Sequence, residues 1–554
     1  MSETLAGFIA RTLAAEQIDR FFLLTGGDQP LWIALDDHGI DQVLARSEAS
    51  AVYMADGYAQ ASGRVAVVYG QAGPGAANIA AALADPFWSR TPILSITGGT
   101  TAKAVHRSEY QELATSSMFD PVTVMNVTLT DPERIVDLLP RLIAIARTEG
   151  PVNITIPKDL FGVTITSAPT DIVVPALAGD VLPDPRAIAA AAEMVRGFER
   201  PLLLVGTGAK RAAVGPKVRA LSQALGAPIA LTPGGKGVVD ESAPGVIGVV
   251  GRYASNAANR IAEQADGVIV IGSRAGGLVT DGYRFGAPPA RVVHLDKDPR
   301  SLFGQAGVGV RVTTELSHGL DALLAALDGH APTTSAWMGE ASTARPGWLD
   351  AVAAVPVASP AGDLSPTALF PTLNANRERI RVVADTGYMA AWTATLFDPH
   401  GTVGFLRANG SLGWSLPAAL GSQLAGGSQR TVCVTGDGGF GYHVGDLETA
   451  TRRGLAPIVL VLNNRSLAFE YHEQKYKWQG RVVPIVNDLS DLDHAAVARA
   501  FGWQGERVSD LASFEDAFAR AMMDEDTPWL LDVIVDKESF APVTNFDKFL
   551  ERDI

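Results

Sequence analysis

Cysteine is almost missing from this chain: Cys433 is the one example in 554 residues. A single thiol cannot close an internal disulfide, so stability must come from burial, and a reducing compartment is expected. Aromatic residues are sparse at 7%, and no uninterrupted apolar run approaches the roughly 18 residues a membrane-crossing helix needs. Positive charge is also short, with 45 Lys and Arg against 60 Asp and Glu, a net charge of −15. Neutralising a nucleic-acid backbone takes a basic surface, so no nucleic-acid partner is expected. A small anionic ligand stays compatible with this charge, because backbone N–H groups or a metal can hold it.

The opening residues, MSETLAGFIARTLAAEQIDRFF, carry acidic groups early and no basic leader region. They read as an amphipathic helix rather than a signal peptide. Together with the cysteine count, this predicts a cytoplasmic protein with no membrane partner.

What is present suits a well-packed enzyme: 47% hydrophobic and 19% charged residues. At roughly 150 residues per domain, the length suggests three or four domains. Short β-branched runs such as VAVVYG (65–70), VNITIP (152–157), GVIVIG (267–272), RVVHLD (291–296) and PIVLVLNN (457–464) alternate with Ala-rich stretches. Continuous apolar strands separated by helices predict parallel sheets covered on both faces, an α/β class with doubly wound topology. Residues 166–186 and 328–365 are rich in Pro, Ser, Thr and Gly and read as linkers. They divide the chain into 1–170, 186–328 and 362–554.

The most informative segment is TGDGGFGYHVGDLETATRRGLAPIVLVLNNRSLAF, residues 435–469. One strand ends at Gly436-Asp437-Gly438, a helix follows, and a second strand ends at Asn463-Asn464. In a parallel sheet both ends emerge on the edge where α/β proteins bind ligands. Asp437 offers an anionic oxygen, Asn464 an amide oxygen and Ser466 a backbone carbonyl, a donor set suited to Mg²⁺, whose remaining positions diphosphate and water would fill. Glycines there let N–H groups approach a diphosphate. Alone, Gly-Asp-Gly is an ordinary βα turn; the 24 residues (439–462) between it and the asparagine pair raise its meaning.

That spacing resembles the thiamine diphosphate (ThDP) binding motif. SEASAVYMADGYAQASGR (47–64) looks like the pyrimidine-binding segment of acetohydroxyacid synthase, benzoylformate decarboxylase and benzaldehyde lyase. GQAGPGAANI (70–79), ADTGYMAAW (384–392) and ANGSLGWSLPAALG (408–421) resemble the turn after it, the loop meeting the diphosphate, and the segment before Gly-Asp-Gly. The chain is thus similar to the ThDP-dependent 2-oxo acid decarboxylase and carboligase family.

The resemblance implies pyrimidine-binding, central and diphosphate-binding domains in that order. It also implies ThDP and Mg²⁺ as cofactors and a homodimer or homotetramer in which the first domain of one subunit meets the last of another. Glu48 stands where the family places the glutamate that hydrogen-bonds the pyrimidine N1′. Leu412 matches the residue beneath the bond joining the two rings, with Asn409 and Gly410 offering backbone contacts. Gly387, Gly436, Gly438 and Gly439 border the diphosphate, and Gly26, Gly27 and Asp28 the substrate. Gln71, Gln111 and Glu470 match further substrate-facing positions, and Asp28 with Glu470 forms a candidate proton-relay pair. His443 is open to a cofactor or a structural role; His472 and Glu473 lie beside Glu470, where Glu470 and Glu473 also fit a solvated face. His106 matches the family's His-His pair too poorly to be counted.

The central segments GTGAKRAA (206–213), GGKGVVDE (234–241), GSRAGGLVTDGY (272–283) and HLDKDP (294–299) partly resemble those that bind FAD or ADP in relatives. They keep Arg274 but replace an Asp-Asp pair with glycines, and because Gly-rich turns recur in any Rossmann-like domain, a vestigial, empty site is the default reading, with FAD or ADP the alternative. The implied substrate is a 2-oxo acid, acyloin or aldehyde. Acetolactate-synthase-like carboligation leads, an acyloin or 2-hydroxyacyl-CoA lyase follows, and a silent nucleotide-binding paralogue is the distant alternative.

Overall fold

The structure, a computed structural model, describes residues 3–101, 103–166, 169, 171–174, 181–282, 291–301, 309–330 and 335–543. Tyr283, the last residue of the 272–283 segment, and parts of both linkers lie outside the described residues.

The first domain builds one parallel sheet from β1 (Arg20–Leu23), β2 (Asp41–Leu44), β3 (Ala66–Gly70), β4 (Ile93–Gly99), β5 (Met125–Thr128) and β6 (Val152–Pro157). Their spatial order is β2-β1-β3-β4-β6-β5. The middle domain has β7 (Pro201–Val205), β8 (Ile229–Leu231), β9 (Val246–Val249), β10 (Gly267–Ile271), β11 (Val292–Asp296) and β12 (Val310–Thr313), ordered β9-β8-β7-β10-β11-β12. The third has β13 (Ile380–Ala384), β14 (Phe405–Arg407), β15 (Arg430–Gly436), β16 (Ile458–Asn463), β17 (Gln504–Val508) and β18 (Trp529–Ile534), ordered β14-β13-β15-β16-β18-β17. The first and third sheets therefore share one winding order, and the middle sheet has another.

Central strands such as β6, β10 and β16 are buried along their whole length, because helices cover both faces of each sheet. Among the described residues no helix is long and apolar enough to cross a membrane.

Two expectations change. The N-terminal helix covers only Leu5–Ala15, and Phe21 and Phe22 belong to strand β1. Leu5, Phe8, Ile9 and Leu13 complete the helix's buried stripe, and Gln17 then breaks it with φ +56°. The 328–365 segment is more than a linker: it holds a helix, Ser335–Ala353, with Pro346 inside it. Trp337 packs in the middle domain, its indole N–H donating to the Pro201 carbonyl at 2.8 Å, and Trp348 packs in the third-domain core. Two tryptophan anchors outweigh the loop-like composition around them.

The first and third domains meet through equivalent helices, Glu48–Ser62 and Ser415–Leu424, each following the second strand of its sheet. They touch backbone to backbone. A Cβ on Gly57 would lie 2.0 Å from the Ala418 carbonyl oxygen, and one on Gly421 1.8 Å from that of Met54. Gly421→Ala is expected to destabilise the protein by about 3 kcal/mol, because neither rigid backbone can yield to the added methyl. A fall in the denaturant midpoint checks this.

Candidate active site

β15 and β16 are neighbours, with Gly436 opposite Leu462, so Asp437 and Asn464 leave the sheet on one edge. Asp437 is 7% exposed. One carboxylate oxygen accepts from the Gly438 N–H at 2.9 Å, while Oδ2 is buried without a hydrogen-bond partner. Burial pushes its pKa up to about 6, against the pull of backbone N–H groups from Gly438, Arg465 and Ser466. A buried carboxylate oxygen with no donor is what a cation would satisfy. The two asparagines divide their work. Asn463 is held in the core, its amide donating to Asp532 at 2.9 Å and its oxygen accepting from the Arg465 N–H. Asn464 lies in the turn that meets Asp437, its amide oxygen accepting from the Ser466 N–H at 3.1 Å. Asp437, Asn464 and the Ser466 carbonyl thus fit an Mg²⁺ bound to a diphosphate.

The glycines around this edge have different jobs. At Gly387 (φ +70°), Gly410 (φ +153°) and Gly436 an added Cβ would meet open space, leaving room for a ligand against the backbone. At Gly438 it would lie 2.6 Å from Leu467, and at Gly439 2.8 Å from both Asp385 and Thr435. Those two glycines permit close packing of the site's own walls. Asp385 is the residue that sequence reasoning passed over within ADTG. It is fully buried and accepts hydrogen bonds from Thr386 N, Gly413 N, Ser415 Oγ and Thr435 Oγ1, between 2.8 and 3.0 Å. It binds the segments at 385–386, 413–415 and 435 into one unit. Half-buried Leu412 sits in the middle segment, beside Gly413 with φ +88°. The N–H groups of Asn409 and Ser411 both donate to Asp85 of the first domain, and the Asn409 amide donates to Ser89. The Asn409 N–H is therefore committed to holding the segment.

In the first domain, Glu48 is the first residue of its helix, after the N-cap Ser47. It accepts from Asn78 Nδ2 at 3.0 Å and flanks Gly75, whose missing side chain leaves room for both Glu48 and Gln71. Gly27, Asp28, Gln71, Gln111 and Lys158 line a cavity of about 120 Å³ at the ends of β3 and β4. Gln71 donates to Gln111 Oε1 at 3.1 Å, and Gln111 holds φ +63°. A side chain on Gly26 would strike Gln71, 2.8 Å away. Asp28 is buried, accepts from the Tyr69 hydroxyl and has its pKa raised to about 6 by burial, with Lys158 opposing. Tyr69 and Lys158 carried no motif, and only the sheet brings them to Asp28.

Other candidates lie elsewhere. Glu470 is exposed at the start of helix Ala468–Lys477 and outside that cavity, so one chain does not bring it to Asp28. Glu473 pairs with Lys477 at 2.8 Å. His472 is fully buried, hydrogen-bonded to Tyr388 at 2.6 Å and stacked on Phe540, which makes it part of the core. His106 is exposed. His443 bonds Ser50 of the first domain. No hydrogen bond or ion pair among the described residues joins Glu48 to Asp437: each binds within its own domain.

The middle sheet reverses its order between β7 and β10, and a cavity of about 620 Å³ opens there. Arg211, Arg274 and Lys297 line it, with Arg90 and Arg147 from the first domain and Arg407 from the third. Lys236 of the 234–241 segment instead forms a fully buried ion pair with Glu241 at 2.8 Å.

A doubly wound sheet with an orphaned carboxylate beside an asparagine turn, and a like-wound sheet carrying a glutamate, fit the class of enzyme that works through ThDP. The chain belongs to the thiamine pyrophosphate enzyme family. Family models match its N-terminal TPP binding domain at residues 3–118, its central domain at 188–323 and its C-terminal TPP binding domain at 385–533. It is similar to the probable acetolactate synthase large subunit of Methanocaldococcus jannaschii, 27% identical over 97% of this chain and 92% of that protein. It is also similar to the acetolactate synthase large subunit of Parasynechococcus marenigrum, at 28% over 96% of this chain and 88% of the relative. The acetolactate synthase isozyme 2 large subunit of Escherichia coli K12 is 27% identical over 96% of this chain and 95% of its own length.

Proposed function

We propose that this chain catalyses an acetolactate-synthase-like reaction with ThDP and Mg²⁺. A 2-oxo acid loses CO₂, and the remaining acyl unit forms a carbon–carbon bond to the carbonyl of a second 2-oxo acid or aldehyde. The orphaned Oδ2 of Asp437 against the Asn464 turn carries this reading, and the named relatives support it.

The cofactor supplies the electron sink for the pair left behind by CO₂. Asp437, Asn464 and the Ser466 carbonyl would hold the metal, and Leu412 would pack against the cofactor. Glu48 would accept a hydrogen bond from the pyrimidine N1′ and favour its protonated form. Gln71 and Gln111 orient the substrate carbonyl, and Lys158 offers a cation to its carboxylate. A small 2-oxo acid suits the size of the Asp28 cavity. Glu48 and Asp437 lie on separate domains, and among the described residues no hydrogen bond or ion pair joins them; a homodimer whose site is completed by a second copy accords with this. The basic middle cavity supports FAD or ADP there, and nucleotide released on denaturation and read by chromatography tests it.

The test of function is an NMR time course with ThDP, Mg²⁺ and pyruvate, with CO₂ trapped. Acetolactate with stoichiometric CO₂ is expected. If ThDP binds and pyruvate stays intact, the acyloin or 2-hydroxyacyl-CoA lyase reading replaces this one.

Release of an aldehyde instead of ligation needs a proton at the carbon that lost CO₂, and Asp28 is the buried acid nearest Gln71 and Gln111 in their cavity. Its pKa of about 6 leaves it protonated below that pH and ionised above. The aldehyde share of product is therefore expected to fall up to about tenfold per pH unit above 6. Asp28→Asn should flatten that dependence, as product ratios across pH would reveal.

A further inference from the structure

We propose that Ser50, His443 and Asp446 form a hydrogen-bonded clamp across the first and third domains that holds Glu48 in its working position. The inference rests on the role given to Glu48 above. It makes His443 and Asp446 positioning residues.

Glu48 is poorly fixed by its own contacts. It is half-buried at a helix terminus, with one side-chain hydrogen bond among the described residues, from Asn78. The residues on either side of it are held from the third domain. Asp446, 1% exposed, accepts from the Arg46 backbone N–H at 3.0 Å with Oδ1, and from the Ser50 hydroxyl with Oδ2. Thr449 adds a further hydrogen bond to Oδ1 at 3.1 Å. A buried carboxylate thus brackets Glu48 at positions 46 and 50.

The protons can be counted. Ser50 is completely buried, and its one hydroxyl proton goes to Asp446. Ser47 Oγ, 3.0 Å away, and His443 Nδ1, 2.8 Å away, must then both donate to Ser50 Oγ. His443 is thereby fixed as the neutral Nδ1–H tautomer, and burial pushes its pKa down to about 4, so it stays neutral at working pH. Its ring also packs edge-on against Tyr53, with centroids 5.5 Å apart. The set differs from a hydrolytic triad: serine is in the middle, its hydroxyl is sealed from substrate, and its proton faces the carboxylate. The clamp also reaches the cofactor segment, since a Cβ on Gly413, next to Leu412, would lie 3.1 Å from His443 Cδ2. Glycine at 413 lets that segment close on the histidine.

The experiment uses full-length holoenzyme with ThDP and Mg²⁺. It measures ThDP affinity by titration calorimetry, and exchange of the cofactor C2 proton by quenched-flow NMR. His443→Ala and Asp446→Asn are expected to slow exchange about tenfold or more, with affinity changed less than about threefold, because binding depends on Asp437. His443→Asn should restore the rate, because its amide N–H replaces Nδ1–H. Wild-type exchange in His443→Ala overturns the proposal, as does no rescue by asparagine or slowing that merely tracks lost affinity. If His443→Ala does not fold, Thr449→Val, which removes one hydrogen bond to Asp446, must show a smaller slowing, and an unchanged rate there sinks the clamp. Failure of wild-type protein to bind ThDP would instead refute the functional reading itself.

Discussion

Glu48→Gln is expected to slow exchange of the ThDP C2 proton by about 10²–10⁴-fold while leaving the cofactor bound. Glutamine matches glutamate in size and can keep the contact with Asn78, so the helix start should be undisturbed. It lacks the negative charge that, in the role proposed for Glu48, would stabilise a protonated pyrimidine ring. Calorimetry should therefore report near wild-type ThDP affinity beside a collapse of exchange. Exchange at the wild-type rate would remove Glu48 from the mechanism.

Asp437→Ala is expected to act in the opposite way, weakening Mg²⁺-dependent ThDP binding by about 100-fold or more. The fold should survive: the carboxylate does lose its bond from the Gly438 N–H, but its raised pKa shows that burying the charge outweighs the backbone N–H groups that favour it, and Oδ2 has no partner to lose. Titration with and without Mg²⁺ checks both halves: the metal-dependent gain in affinity should vanish, and the melting temperature without ligand should hold or rise. The two variants also test the assembly. Refolded as a mixture, inactive Glu48→Gln and Asp437→Ala chains should recover about a quarter of wild-type activity. Random pairing makes half the dimers mixed, and each mixed dimer keeps one intact site. No recovery would mean that the site forms within one chain.

Much of this was legible from local pattern. Central strands β3, β4, β6, β7, β10, β11, β13, β15 and β16 stand out because burial on both faces demands unbroken apolar runs. The strands that escaped include all six at sheet edges: β2, β5, β9, β12, β14 and β17. Of these, β5 and β17 have a solvated side, so MNVT and QGERV mix polar and apolar residues like any loop. β1 was hidden for another reason: RFFL continues the hydrophobic content of the helix before it, and no Gly or Pro marks the break at Gln17. The helix within 328–365 was masked by Pro346 and by small residues whose helicity depends on Trp337 and Trp348 finding cores to fill.

The sequence by itself determined the chemistry that one strand and its following turn can carry. Asp437, Asn464 and Ser466 needed only two adjacent parallel strands to converge, and Glu48 only a capped helix start. Tertiary structure decided everything that depends on separate segments meeting. It gave Asp385 its four donors, set Tyr69 and Lys158 at Asp28, removed His472 to the core, and left Glu470 outside the cavity that Asp28 lines. It also joined Ser50 to His443 and Asp446, nearly 400 residues apart in the chain. The physical reason is the range of the forces. Strand and helix preferences act over a few residues and are written in local spacing, whereas a buried polar group takes whichever partner the packing of whole sheets delivers to it.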